Sequence, residues 1–91
     1  MYYIVNSGVE YQDKKLLFIV YADRKDIVTE NDVTKACGYE IYVSQKYGVE
    51  SKAIEYAKSL PNVFVINLTF EERKEFENGR MNIGILLRHK V

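Results

Sequence analysis

The sequence has 91 residues, of which 47% are hydrophobic and 29% are charged, and its 13 basic side chains balance 13 acidic ones. This length suits one domain and leaves no room for a second independent core, and the composition is that of a folded globular protein. Because the net charge is zero, no global field attracts phosphate backbones or anionic lipids, so nucleic-acid binding would need a local basic patch.

Targeting and membrane signals are absent from the sequence pattern. The chain opens with the strand-like residues 2–5 and lacks the basic segment and apolar core of a secretory signal peptide. The single Cys37 cannot form an intramolecular disulfide, and no apolar run approaches the roughly 20 residues that cross a bilayer. We therefore predict a cytoplasmic, intracellular protein without a membrane span. Its preference for Tyr, Ile, Asn and Lys is typical of AT-rich genomes, which viruses, plasmids and many hosts have alike.

Apolar runs predict the strands of the first half of the chain. Residues 15–22 form the longest nearly unbroken apolar run, which predicts a central strand. Residues 2–5 predict a first strand, residues 6–8 supply turn chemistry, and a second extended piece ends near residues 12–14. We expect these pieces to form a hairpin with the central strand.

Capping signals predict where two helices begin. Thr29 precedes acidic residues, which suit the positive end of a helix, and Gly38 ends or interrupts that helix. Thr69 opens a capping box, which predicts a helix to about residue 78. The pair Asn78-Gly79 also favours a hairpin, which is the alternative for residues 70–78.

Residues 39–45 fit two patterns. Tyr39, Ile41 and Val43 alternate as they would in a strand, whereas Ile41 also continues the apolar face of the preceding helix. We favour the strand, because Gly38 is a stop signal and β-branched and aromatic residues are frequent in this run.

The second half of the chain completes an α+β or α/β domain. The spacing of apolar residues in 53–60 predicts an amphipathic helix, and residues 62–68 predict a second core strand beside the central one. Residues 81–87 predict a closing strand, in which Gly84 indicates a bulge, and its exposed edge would allow a homodimer. We predict one small domain over residues 1–91, with a mixed four- to five-stranded sheet and two to three helices mainly on one face.

No set of residues predicts a reaction, so we expect no enzyme activity, no cofactor and no metal site. Glu50 and Lys52 have the Glu-x-Lys spacing that resembles one group of metal-dependent nucleases, with Asp23 or Asp32 as a further acid. On a helix, however, residues two apart point in different directions and would not converge. A small metal-dependent nuclease is therefore the least favoured alternative.

The eight tyrosines are the most informative feature of the sequence. Three of them lie in apolar company and are predicted to be core residues: Tyr3, Tyr21 and Tyr39. Three others lie among polar residues, where rigid amphipathic rings suit an interface, and are the predicted partner-binding residues: Tyr42, Tyr47 and Tyr56. The alternative is that these rings only border the core.

We therefore predict a small stand-alone protein–protein interaction module. It would be an adaptor or inhibitor that a virus or mobile element encodes against a larger host protein, such as a host-defence component. The alternative is a nucleic-acid-binding protein with a basic surface along the predicted closing strand, formed by Arg80, Arg88, His89 and Lys90.

Overall fold

Four strands and four helices lie within the residues that the structure, a computed structural model, describes: 1–22 and 29–91. The strands are β1 (Tyr2–Tyr11), β2 (Lys14–Tyr21), β3 (Glu40–Tyr47) and β4 (Val63–Ile66). The helices are α1 (Glu30–Cys37), α2 (Glu50–Ser59), α3 (Phe70–Glu77) and α4 (Ile83–Arg88).

The strands form one mixed sheet in the order β3-β1-β2-β4. Strand β1 is antiparallel to both β2 and β3, whereas β4 is parallel to β2. The predicted central strand is thus confirmed in the interior of the sheet, with the predicted second core strand directly beside it. The strand favoured for residues 39–45 is confirmed from Glu40 onwards, where β3 begins.

The hairpin between β1 and β2 turns at Gln12 and Asp13, whose φ angles are 52° and 61°. Left-handed conformation at both central residues matches the right-handed twist of the flanking strands. Residues 6–8 do not end a strand. Instead, β1 continues through them with a register shift, and the Asn6 and Ser7 side chains accept hydrogen bonds from the N–H groups of Gly8 and Val9.

Both predicted helix starts are present, and each of them has a capping box. The Thr29 hydroxyl accepts a hydrogen bond from the Asp32 N–H at the start of α1, and the Thr69 hydroxyl accepts one from the Glu72 N–H at the start of α3. Residues 70–77 are helical, so the helix prediction for this segment is confirmed over the hairpin alternative.

The predicted closing strand over residues 81–87 is wrong, because this segment forms α4. The Asn82 side chain caps the helix by accepting a hydrogen bond from the Ile85 N–H at 2.9 Å, and Leu86 is buried against the sheet. The cap and the burial of one helix face outweigh the strand preference of the β-branched residues. The dimer edge predicted on this segment therefore does not exist.

The residues after α4 pair with β4 instead. Lys90 lies opposite Ile66 in an antiparallel bridge, the Asn67 N–H donates to the His89 carbonyl, and the Val91 N–H donates to the Val65 carbonyl. This bridge covers the outer edge of β4, whereas no strand among the described residues covers the outer edge of β3.

The sheet separates two apolar clusters and lies in the middle of three layers. On one face, Ala53 and Ala57 of α2 pack on Ile4, Leu17 and other strand residues. The other face carries the larger cluster, in which α1, α3 and α4 cover Phe18 through Val33, Phe76 and Leu86. The fold class is therefore a small α+β domain with three of its four described helices on one face, as predicted.

Candidate functional site

Tyr47 and Tyr56 lie side by side on the face of the sheet that α2 covers. Tyr47 is the last residue of β3, Tyr56 lies on α2, and their ring centroids are 5.8 Å apart. Both rings are half-buried and pack against the α2-side cluster. Partial desolvation and the neighbouring Tyr56 raise the pKa of Tyr47 above its ordinary value, so the Tyr47 ring stays neutral at physiological pH.

Tyr2 and Tyr21 extend this pair across the sheet. Tyr2 of β1 lies opposite Tyr47 of β3 on one side and opposite Tyr21 of β2 on the other. The Tyr2 and Tyr21 ring centroids are 4.9 Å apart, and 46% of Tyr21 is exposed. We call the four residues Tyr21, Tyr2, Tyr47 and Tyr56 the tyrosine strip.

The tyrosine strip corrects part of the sequence interpretation. The prediction that Tyr21 is a core residue is wrong, because Tyr21 is the last residue of β2 and is exposed. Tyr3 and Tyr39 are buried as predicted, and the Tyr39 hydroxyl donates a hydrogen bond to Glu77 Oε1 at 3.3 Å.

Tyr42 lies apart from the strip. Its half-buried ring contacts Lys15, whose Nζ is 5.3 Å from the ring centroid. The structure therefore brings two of the three predicted partner-binding residues together and places the third elsewhere on the α2 side of the sheet.

The four basic residues predicted for nucleic-acid binding lie in different local settings. Arg80 pairs with Glu75 at 3.6 Å, and His89 Nε2 lies 2.7 Å from Glu72 Oε2. Arg88 ends α4 and is exposed, whereas Lys90 lies beside β4 with its Nζ 4.9 Å from the Phe64 ring centroid. The prediction that these basic residues lie along a closing strand is wrong, because residues 83–88 are helical.

The acidic residues considered for metal binding lie on different elements, with Glu50 in α2 and Asp32 in α1. Glu50 and Lys52 lie in the first turn of α2, where the Asn67 side chain donates a hydrogen bond to the Glu50 carboxylate at 3.3 Å. Asp23 lies outside the described residues. In the ranges that the structure describes, no three His, Cys, Asp or Glu side chains are grouped in a way that would hold a metal ion.

Comparison with known proteins finds no match for this chain. The chain matches no protein-family model, and no curated protein or solved structure is similar to it. Among the described residues, each helix is too short or too polar to cross a lipid bilayer.

Proposed function

We propose that this protein is a small protein–protein interaction module that docks on a larger protein through the tyrosine strip. The observation that carries the proposal is the register of Tyr2, which lies opposite both Tyr47 and Tyr21 and so makes the strip continuous over three strands. Single apolar residues are common on protein surfaces, but contiguous apolar patches are typical of interaction sites. In the strip, Tyr21 is exposed and the other three rings are half-buried.

The chemistry of the strip suits a protein partner. A tyrosine ring has few rotatable bonds, buries a large apolar area, and presents a hydroxyl that can donate and accept hydrogen bonds. Ring contacts hold Tyr2 against Tyr21 and Tyr47 against Tyr56, so little side-chain freedom remains to be lost on binding.

The size of the domain is compatible with this role. The accessible surface is 5750 Å², and a standard interface of about 800 Å² per partner would cover roughly a seventh of it. An adaptor or inhibitor acts by occupying a surface of its target, for which this area is sufficient. If a virus or mobile element encodes the chain, the target is a protein of the host.

Affinity capture with matched variants tests the proposal. The wild-type protein, Tyr21→Ala and Tyr11→Ala would be immobilised and exposed to nuclease-treated lysate of the source cells, and retained proteins would be identified by mass spectrometry. Tyr11 is the control because it is exposed to a similar extent as Tyr21, 37% against 46%, but lies outside the strip. Circular dichroism would verify that the variants are folded.

We expect one stoichiometric protein to be retained by the wild type and by Tyr11→Ala, and to be lost or at least tenfold reduced with Tyr21→Ala. Equal retention by all three proteins would contradict a role of the strip. Retention of no protein by the wild type would contradict the proposed function itself.

A further inference from the structure

A second surface, which shares no residue with the tyrosine strip, surrounds Phe64 of the edge strand β4. The Phe64 ring is half-buried, and the ammonium groups of Lys14 and Lys90 lie 4.8 and 4.9 Å from its centroid. Lys58, in the last turn of α2, lines a cavity of about 200 Å³ together with Phe64 and Lys90. Two lysines from separate segments of the chain thus lie against one aromatic ring, and a third lines the cavity beside it.

None of these lysines forms an ion pair with another described residue. The two ion pairs among the described residues are Arg80–Glu75 and His89–Glu72, and neither includes Lys14, Lys58 or Lys90. A local cluster of unpaired ammonium groups on a chain of zero net charge creates a positive potential that attracts anions. Cation–π contacts with Phe64 orient two of the lysines without cancelling their charge.

Aromatic rings adjoin the positive charge. Tyr11, at the end of β1, has its ring centroid 6.5 Å from that of Phe64 and is 37% exposed. Surfaces that bind single-stranded nucleic acid combine these two elements, since lysines contact the phosphates and the bases stack on exposed rings. An acidic peptide would use the lysines but leave the rings without a role, and a duplex would keep its bases stacked on each other.

We propose that the surface formed by Lys14, Lys58, Lys90, Phe64 and Tyr11 binds single-stranded nucleic acid. Of the four basic residues predicted from the sequence, only Lys90 belongs to it. The bridge between Lys90 and Ile66 holds Lys90 in place through the backbone, so the site depends on the fold rather than on a basic run of sequence.

Fluorescence anisotropy with a labelled thymidine oligonucleotide of about 12 nucleotides tests the proposal. The wild type would be compared with a triple variant, Lys14→Gln with Lys58→Gln and Lys90→Gln, over a series of salt concentrations. The matched control removes the same number of charges from other described elements: Lys35→Gln with Lys46→Gln and Lys74→Gln. A variant with Tyr11→Ala tests stacking.

We expect the wild-type affinity to fall with salt with a logarithmic slope of about −2, since each phosphate contact on a single strand contributes about −0.7. The triple variant should bind at least tenfold more weakly with a flatter slope, the control should bind like the wild type, and Tyr11→Ala should lose about fivefold or more. The thermal unfolding of all variants would be followed to verify folding.

Several outcomes would overturn the inference. These are an absence of wild-type binding, equal losses in the triple variant and its control, and equally tight binding of a duplex. Polyglutamate that binds as tightly as the oligonucleotide would assign the surface to acidic protein segments instead. Because none of the five residues belongs to the tyrosine strip, failure here is distinguishable from failure of the proposed function.

Discussion

The Tyr47 ring packs against the Tyr56 ring, with 5.8 Å between their centroids, and this contact joins the edge strand β3 to helix α2. The two residues are nine positions apart in sequence, and the intervening chain turns from the strand into the helix. Three residues of the tyrosine strip, Tyr2, Tyr47 and Tyr56, therefore pack against the α2-side cluster. The fourth, Tyr21, is exposed to solvent.

A double-mutant cycle measures the strength of this contact. We expect Tyr47→Ala and Tyr56→Ala each to lower the free energy of unfolding, and the double variant to lose about 0.5–1.5 kcal/mol less than their sum, because one contact cannot be lost twice. Urea denaturation gives the four free energies. Tyr11→Ala with Tyr56→Ala is the control. These two residues share no ring contact, so their losses in free energy of unfolding should be additive. Additive losses for Tyr47 and Tyr56 would argue against their direct contact.

Glu72 makes stability depend on pH in the acidic range. A hydrogen bond from the Thr69 N–H is the main reason why the pKa of Glu72 lies below its ordinary value of 4.5, and the Thr69 hydroxyl and His89 act in the same direction. This stabilisation is therefore fully present above pH 4.5 and is lost as the pH falls through the pKa of the folded state.

We expect the difference in free energy of unfolding between wild type and Glu72→Gln to shrink as the pH falls below 4.5. Urea denaturation at a series of pH values measures this difference. Glu71→Gln, in the same helical turn, is the matched control. A constant difference between wild type and Glu72→Gln would show that the carboxylate has no stabilising role.

Tyr39 produces the opposite dependence at alkaline pH. Burial, followed by the charge and hydrogen bond of Glu77, raises the pKa of Tyr39 from 10.0 to about 12. The neutral phenol therefore contributes stability that is fully present below pH 10 and is lost as the pH rises towards 12.

The comparison with Tyr39→Phe isolates this effect from other groups that titrate at high pH. At neutral pH we expect the variant to lose about 1 kcal/mol with the hydrogen bond to Glu77. The difference in free energy of unfolding between wild type and Tyr39→Phe should shrink or reverse between pH 10 and about 12. Denaturation curves across this range give the difference, and parallel pH profiles would contradict the expected ionisation.

The Asn82 side chain stabilises the start of helix α4. Replacing Asn82 with alanine removes the acceptor of the Ile85 N–H and should lower the free energy of unfolding by about 1 kcal/mol. Asn82→Asp retains a capping oxygen and should lose far less. Thermal or urea unfolding measures both, and equal stability of the alanine variant and wild type would contradict a capping role.

Local signals in the sequence were sufficient for several elements. Each capping box spans a single helical turn, so the residues that form it are only three positions apart in the sequence: Thr29 with Asp32, and Thr69 with Glu72. Asn82 provides an equally local signal. However, the β-branched residues of this segment also suit a strand, and the burial of Leu86, which favours the helix, is a tertiary effect.

The tyrosine strip could not be predicted from local signals. Near the turn, Tyr11 lies opposite Lys14, and continuing that register without interruption would place Ile4 opposite Tyr21. The irregularity between Asn6 and Glu10 adds two residues to β1, which brings Tyr2 opposite Tyr21 instead. The number of residues in a bulge depends on backbone geometry, so the pairing of Tyr2 and Tyr21 follows from the three-dimensional structure.

Site-directed photo-crosslinking tests the central claim most directly. Benzoylphenylalanine would be incorporated at position 21, in the tyrosine strip, and in a second protein at position 11, outside it; both positions carry exposed tyrosines. The lysate of the source cells would be nuclease-treated, so that the proposed nucleic-acid surface around Tyr11 has no ligand. After irradiation in this lysate, we expect a covalent complex with one partner protein from position 21 and none from position 11. A protein crosslinked from position 11 but not from position 21, or from neither, would contradict the assignment of the strip as the docking surface.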